Sequence, residues 1–393
     1  MRTEMFVDSP TGMLVPISGT DPRYGEWSHV AYVPNELPKR TPNLGAETFN
    51  AVADARAALA ALDALARQLP NPALLRRPTL RQEAQSTSAL EGTYAPLEEV
   101  LGADADAEQP SSAMREVINY VIAAEHAFAS LKEGRPITLG LVEESQGLLV
   151  RGTAADTDQA GRIRTTQVLI GAHRGTRVSD ARFVPRPPGI GLEAQARDCV
   201  AWFASPRAGI DPVVASAMAH YLFETLHPFN DGNGRIGRLL IVLQLHAYGV
   251  LVEPTLTVSP WFEARRSEYY DRLLSVSTVG DWDGWIGFFA AGVAASASAT
   301  NQQLTDLLAV QASLKDRVRR ARMRAESAMR LVDFAFDQPI FTVRHVERHL
   351  GVTYPRANAL VGQMVEAGVL RQHDESSYDR RFAAPDVLAI LLR

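Results

Sequence analysis

"HPFNDGNGRIGR", residues 227–238, places a histidine, an acid, three glycines and two arginines between two long apolar stretches. Taken alone, Asn-Gly and Gly-Asn-Gly are ordinary turn vocabulary and close type I′ hairpins. The flanks decide otherwise. Upstream, "DPVVASAMAHYLFETL" (residues 211–226) repeats apolar residues at 213, 214, 217, 218, 221, 222 and 226. That is helical spacing, and its Asp-Pro start suits an N-cap followed by the first helical position. Downstream, "RIGRLLIVLQLHAYGV" (residues 235–250) is again long, apolar and free of proline. The segment is therefore predicted to join two helices. A loop entering a helix through Gly-Asn-Gly turns successive backbone N–H groups toward the positive end of the helix dipole, which makes an anion site. Phosphate is its natural guest.

Working outward, helical periodicity predicts helices over residues 46–69, 79–101, 111–134 and 138–152, with Gly92 ending the second. Residues 1 to 45 are rich in Pro, Gly and turn formers and read as an irregular arm over a surface. "TQVLIG" and "ARFVP", short and β-branched, read as a hairpin whose open edge could dock a peptide. Residues 259–277 and the stretch from 281 to 336 read as helix. The later part of that stretch carries Arg317, Arg319, Arg320, Arg322 and Arg324, read as a solvated face or a connector. From Gln338 the pattern becomes helix, turn, helix, a short two-stranded wing and a last helix. The expectation is a mainly α protein with an arm and helices over 1–110, a core over 111–300, a helical connector over 301–337 and a small winged helix-turn-helix domain over 338–393.

Composition bounds the function. With 393 residues, 46% of them hydrophobic and 22% charged, the chain can bury large cores and fill two or three domains. A net charge of -5 gives no global electrostatic case for nucleic acid or anionic membrane. The single cysteine, Cys199, excludes an internal disulfide and fits a reducing compartment. The first residues lack the charged start and apolar core of a signal peptide, and no apolar run reaches spanning length, so a cytoplasmic protein is expected.

The whole of "HPFNDGNGRIGR" resembles the signature of Fic-domain proteins, in which these residue types occur at this spacing. The resemblance reaches from about residue 30 to about residue 300, taking in "QVLIG", "EYYDRLL" and "GDWDGWIGFF". It implies a Fic-type helical core with a short β-hairpin flap, and transfer of AMP from ATP to a Tyr, Thr or Ser hydroxyl of a target protein. The residue types suit that chemistry. His227 is the expected general base, because imidazole titrates near neutral pH. Asp231 can supply the carboxylate through which Mg2+ is held beside phosphate oxygens. Gly232 and Gly234 let backbone amides approach the phosphates, and the Asn233 side chain can donate to them. Arg235 and Arg238 are expected on the β- and γ-phosphates, which their planar forks suit. Outside this context a surface salt bridge would be the ordinary reading of either. Phe229 reads as a core anchor. Tyr269 and Tyr270 resemble the adenine-side residues of the family, although a Tyr-Tyr pair on a helix is as often packed core. Gln167, Val168, Leu169, Ile170 and Gly171 correspond to the target-docking flap.

A second stretch, "TSALEG" (residues 87–92), resembles the family's inhibitory motif. On a helix its spacing puts Thr87 and Glu91 one turn apart on one face. From there Glu91 could pair with Arg238 and occupy the place of the γ-phosphate, which is autoinhibition by charge competition. Its plain reading is an exposed Glu before a helix-ending glycine. Two further functions stay open: removal of AMP by the same loop, and a DNA-binding regulator that reads duplex through "TYPRANALVGQMVEAG" (residues 353–368), where Arg356 is the only cationic side chain. The C-terminal segment could equally dock protein, and oligomerisation is open.

Overall fold

A computed structural model describes residues 1–21, 25–68, 73–103, 110–171, 177–323, 325–374 and 380–393. The N-terminal forty residues differ from the irregular arm expected. A 3₁₀ turn (Thr3–Phe6) leads into a hairpin of β1 (Gly12–Asp21) and β2 (Gly25–Pro34), paired antiparallel from Gly12 opposite Pro34 to Asp21 opposite Gly25. Alternation in "GEWSHVAYV" was the signal, and Pro16 is tolerated because β1 is an edge strand. The hairpin frames the site. Phe6, Tyr32 and Phe183 form an aromatic cluster with ring centroids 5.4 to 5.9 Å apart, and Tyr32 N donates to Val184 O at 2.9 Å.

The body is helical. α1 (Ala46–Gln68) is followed by α2 (Ala73–Leu90), which begins six residues before the expected start and carries Pro78 within its second turn. Gly92 ends it at φ 93°, a left-handed value that glycine adopts without strain. Next come α3 (Leu97–Leu101), α4 (Ser112–Lys132), α5 (Leu139–Val150) and α6 (Ile190–Ala204). The last was not anticipated, although Leu192, Ala196, Cys199, Val200 and Phe203 bury one helical face. α7 (Pro212–Leu226) opens on Asp211, whose side chain accepts from Val213 N, and α8 (Asn233–Ala247) packs beside it. Almost every residue of both helices is buried, as their continuous apolar sequence requires.

The stretch from 259 divides at Ala264 into α9 (Ser259–Glu263) and α10 (Arg266–Val279). α11 (Trp282–Arg320), about 58 Å long at 1.5 Å per residue, carries α1 along its first part and contacts the C-terminal helix with its last. α12 (Ala325–Asp337) packs against α2. Beyond it lie β3 (Ile340–Thr342), α13 (Val343–Leu350), α14 (Tyr354–Glu366), β4 (Arg371–Gln372), β5 (Arg381–Ala383) and α15 (Pro385–Leu391). These strands form a three-stranded sheet ordered β3-β5-β4, one strand more than the two-stranded wing expected. On α14, Asn358 accepts from Arg380 and Gln363 lines a groove against the α11–α12 turn. Arg324 and residues 375–379, between β4 and β5, lie outside the described residues. Among the described residues, no helix is long and apolar enough to cross a membrane.

Candidate active site

The site begins where α7 stops. His227 has φ 48° and ψ 61°, a left-handed conformation that costs a residue bearing a Cβ roughly 1–2 kcal/mol. Arg164 holds it there. This guanidinium is almost wholly buried and donates to four backbone carbonyls: His227 O at 2.7 Å, Thr166 O at 2.9 Å, Arg186 O at 2.5 Å and Leu226 O at 3.3 Å. Burial pulls its pKa down to about 10, still well above neutrality, so a full positive charge underlies the loop. Arg164→Met is expected to lower unfolding free energy by about 3 kcal/mol or more, since several carbonyls lose a charged donor. Urea titration monitored by circular dichroism checks this, and an unchanged midpoint would show that the carbonyls find water instead.

Asn233 braces the loop itself. Its Oδ1 accepts from Phe229 N and its Nδ2 donates to Phe229 O, both at 2.8 Å. The side chain therefore closes the loop from within, spending its oxygen and one of its two Nδ2 hydrogens on the Phe229 backbone. Gly232, at φ 80°, lies so near Leu149 that a Cβ would come within 2.8 Å of it. The fully buried Phe229 anchors the loop beneath. The result is a backbone cradle at the N-terminus of α8, opening into a cleft of about 560 Å³. His227, half-buried, lines this cleft with its Nδ1 at 3.3 Å from Glu224 O, so a proton on Nδ1 leaves Nε2 as the basic nitrogen. Burial, reinforced by the Arg164 charge, pulls its pKa down to about 4.

The two arginines have different partners. Arg238 is buried and faces α2: Nε donates to Thr87 Oγ1 at 2.7 Å, and one Nη donates to Thr87 O at 3.1 Å and to Glu91 Oε1 at 2.6 Å. The Glu91 carboxylate lies directly over Gly234, where any Cβ would overlap it. Burial resists its ionisation, yet the Arg238 guanidinium beside it holds the carboxyl below the usual range. Thr87, Glu91 and Arg238 are thus brought together across 147 residues or more of sequence. Arg235 is committed elsewhere: Nη1 donates to Glu116 at 2.8 Å and Nη2 to Asp231 at 2.9 Å. Both of its terminal nitrogens rest on carboxylates where phosphate contacts were expected.

Tyr269 and Tyr270 separate. Tyr269 is fully buried, its hydroxyl 2.7 Å from Nε2 of the buried His220, and so belongs to the core. Tyr270, about 100° further round α10, lines the cleft together with Leu273 and Leu274. Leu169, Ile170 and Gly171 line the same space. The flap pairs at one bridge, with Ile170 N donating to Phe183 O at 2.9 Å and Phe183 N to Ile170 O at 3.2 Å. Gln167 Nε2 donates to Pro185 O at 2.9 Å, and Val168 O accepts from Gln167. The flap's connecting residues, 172–176, lie outside the described residues.

Three residues of this site carried no reading in the sequence. Arg164 and Glu116 stand in helix-and-loop context with no local pattern to distinguish them from surface charges. Glu224 sits three residues before His227, beside Gly237, whose missing Cβ makes room for its carboxyl. Burial pushes Glu224 up to about 8, so it is mostly protonated at neutral pH. Among the described residues no group of three or more His, Cys, Asp or Glu gathers as for a metal cage. Asp231 lines the cleft with its side chain half-exposed, and its second oxygen has no protein partner among the described residues. That donor set fits a magnesium ion held mostly by phosphate and water.

Comparison with known proteins follows this geometry. Residues 136–245 match the model of the Fic/DOC family, and residues 49–129 match that of the Fic/DOC family N-terminal. Protein adenylyltransferase fic-1 of Caenorhabditis elegans is 36% identical over 139 residues, which are 35% of this chain and 23% of that protein. Protein adenylyltransferase Fic of Aedes aegypti is 32% identical over 196 residues, 49% of this chain and 32% of that protein. The chain thus spans between 23% and 32% of the length of these two relatives. A Fic family protein from Desulfovibrio desulfuricans G20 superposes with a TM-score of 0.54 at 22% identity, covering 88% of this chain and 98% of that one. Its fold is shared over nearly its whole length. With both models matched in chain order, residues 49–129 and 136–245 carry the N-terminal and the main domain of the Fic/DOC family.

Proposed function

We propose that this protein transfers AMP from ATP to a hydroxyl side chain of a target protein, restrained by its own Glu91. One observation carries the reading: a backbone cradle with a neutral histidine at its rim opens into a cleft, and a carboxylate, itself an anion, already lies on that cradle. Relatives named protein adenylyltransferase support the donor and the reaction class.

In the transfer, the target hydroxyl oxygen attacks the α-phosphorus while its proton passes to His227 Nε2. The bond from the α-phosphorus to the bridging oxygen breaks, and pyrophosphate leaves with the electron pair. The amides at Gly232 to Gly234 take up charge on the phosphates, with no reorganisation at the moment of reaction. Arg238, once released from Glu91, meets the terminal phosphate. Asp231 would hold Mg2+, which when bound neutralises phosphate charge. Tyr270 and the leucines beside it offer the apolar surface for the base, and the flap edge offers backbone pairing to an extended target segment.

Intact mass after incubation of Glu91→Gly with ATP and Mg2+ tests the reading. An AMP adduct on the protein or on an added acceptor is expected. A protein that binds no nucleotide under these conditions would overturn it. The rate should also report His227. A base acts in its neutral form, present above its pKa, so kcat/KM is expected to stay level from neutral pH down to about 5 and fall tenfold per pH unit below about 4. Glu91 raises the His227 pKa, so in Glu91→Gly the fall moves further to acid. A midpoint near 6.5 would mean that the base is an ordinary solvated histidine.

A further inference from the structure

Arg235 has the deepest claim on both ends of the site, and neither end is a phosphate. Its side chain is only 6% exposed, and its two terminal nitrogens are divided between Asp231, on the loop, and Glu116, on α4. The same Glu116 oxygen that takes Arg235 Nη1 at 2.8 Å accepts from Thr93 Oγ1 at 3.0 Å. Thr93 stands two residues beyond Glu91. A continuous chain therefore runs from the turn that ends the inhibitory helix, through Glu116 and Arg235, to the half-exposed carboxylate of Asp231 on the loop.

We infer that Glu116 is a positioning residue for Asp231, acting through Arg235, and that it sets how strongly the site takes up a divalent cation with the nucleotide. The inference rests on the proposed AMP transfer and adds to it a control on metal affinity from outside the signature. One guanidinium charge shared between two carboxylates leaves the triad with a net charge of minus one, so Asp231 stays an anionic ligand. If Glu116 loses its charge, Asp231 alone claims the guanidinium and becomes a weaker partner for a cation. Arg235 meanwhile gains freedom to approach phosphate. The two consequences have opposite signs, and no general loosening of the loop produces that pattern. The buried guanidinium also cannot follow Asp231 into solvent, so Glu116 fixes the plane from which Asp231 is aimed.

The test uses the full chain carrying Glu91→Gly, with and without Glu116→Gln. Mn2+ binding in the presence of α,β-methylene ATP is followed by electron paramagnetic resonance, and metal-free binding of the same analogue by calorimetry. Half-saturation by Mn2+ is expected to rise about tenfold in Glu116→Gln, the scale on which partners behind a metal ligand act, while metal-free analogue affinity holds or tightens. Thr93→Val, which keeps the shape and removes only the hydroxyl bond to Glu116, should shift Mn2+ in the same direction by less. Unchanged Mn2+ binding in Glu116→Gln overturns the inference, and so does parallel weakening of metal and metal-free binding. If Glu91→Gly itself binds the analogue with no metal dependence, the proposed reaction fails and the inference falls with it.

Discussion

His227→Ala, made in the Glu91→Gly background, is expected to lower AMP transfer by about 10²- to 10⁴-fold, the usual contribution of a positioned general base, with ATP affinity little changed. The two effects separate because the nucleotide's charge is met by the α8 amides and by arginine, whereas the imidazole meets only the incoming hydroxyl. The neutral state of His227 is set by its surroundings: burial and the Arg164 charge disfavour the imidazolium, and Glu224 O fixes the proton on Nδ1. Alanine also loses some tolerance for the left-handed backbone at this position, so His227→Asn is the cleaner partner variant, asparagine being enriched there. Both should bind ATP by calorimetry and fail in the transfer assay. Transfer at the parental rate in either would assign the base to another group. Loss of binding along with transfer in both would show that the side chain holds the cradle together.

How much of this was legible in the sequence depended on how local the cause was. The two helices around the loop were readable because α7 and α8 bury nearly every residue and α7 begins on an Asp-Pro cap, so periodicity and capping agreed. Glycine spacing likewise suggested a cradle, because glycine gives access to backbone amides, although Gly232 also answers to its φ of 80° and to Leu149 beside it. The β1–β2 hairpin was obscured because Pro10, Pro16, Gly12, Gly19 and Gly25 outweigh a short alternation, and the strand pairing that tolerates them is tertiary. α6 was missed for a related reason: prolines at 185, 187 and 188 precede a helix whose start is an uncapped glycine. Side-chain partners separated by long stretches of chain were beyond reach unless a motif marked them, as one did for Glu91 and Arg238. Glu116 meets Arg235 across 119 residues, and Arg164 meets the His227 carbonyl across 63, with nothing local to mark either. The same limit turned Asn233 inward and put Tyr269 in the core, because the sequence fixes a residue's type before tertiary packing fixes which way it faces.

Glu91→Gly is expected to raise AMP transfer. In the present arrangement the carboxylate covers Gly234 and occupies an Arg238 nitrogen that a terminal phosphate would need, while Thr87 accepts from Nε and from that same terminal nitrogen. ATP entering such a site meets a negative charge on the cradle and must leave its terminal phosphate without a cation. The α-phosphate is then out of line for attack, and alignment carries much of the rate in phosphoryl chemistry. Removing the carboxylate uncovers the amides and frees the Arg238 nitrogen together, so the gain should appear as a larger competent population. A coupling of about 1–3 kcal/mol corresponds to roughly 5- to 150-fold in rate at fixed ATP. Arg238→Ala should not mimic it, because it removes the partner of the inhibitor and of the phosphate in one step. Glu91→Gln separates charge from shape: it can still accept from Arg238 but places no anion on the cradle, so an intermediate gain is expected. Position 91 lies just past the last residue of α2, where glycine adds backbone freedom that the glutamine variant avoids. If Glu91 also positions water for AMP removal, Glu91→Gly should lose removal from a pre-modified target while it gains transfer. Equal transfer by wild type, Glu91→Gln and Glu91→Gly, each folded and saturated with ATP, would show that the Glu91–Arg238 pair opens freely during turnover. The contact would then be a helix-end salt bridge that happens to lie on a phosphate cradle.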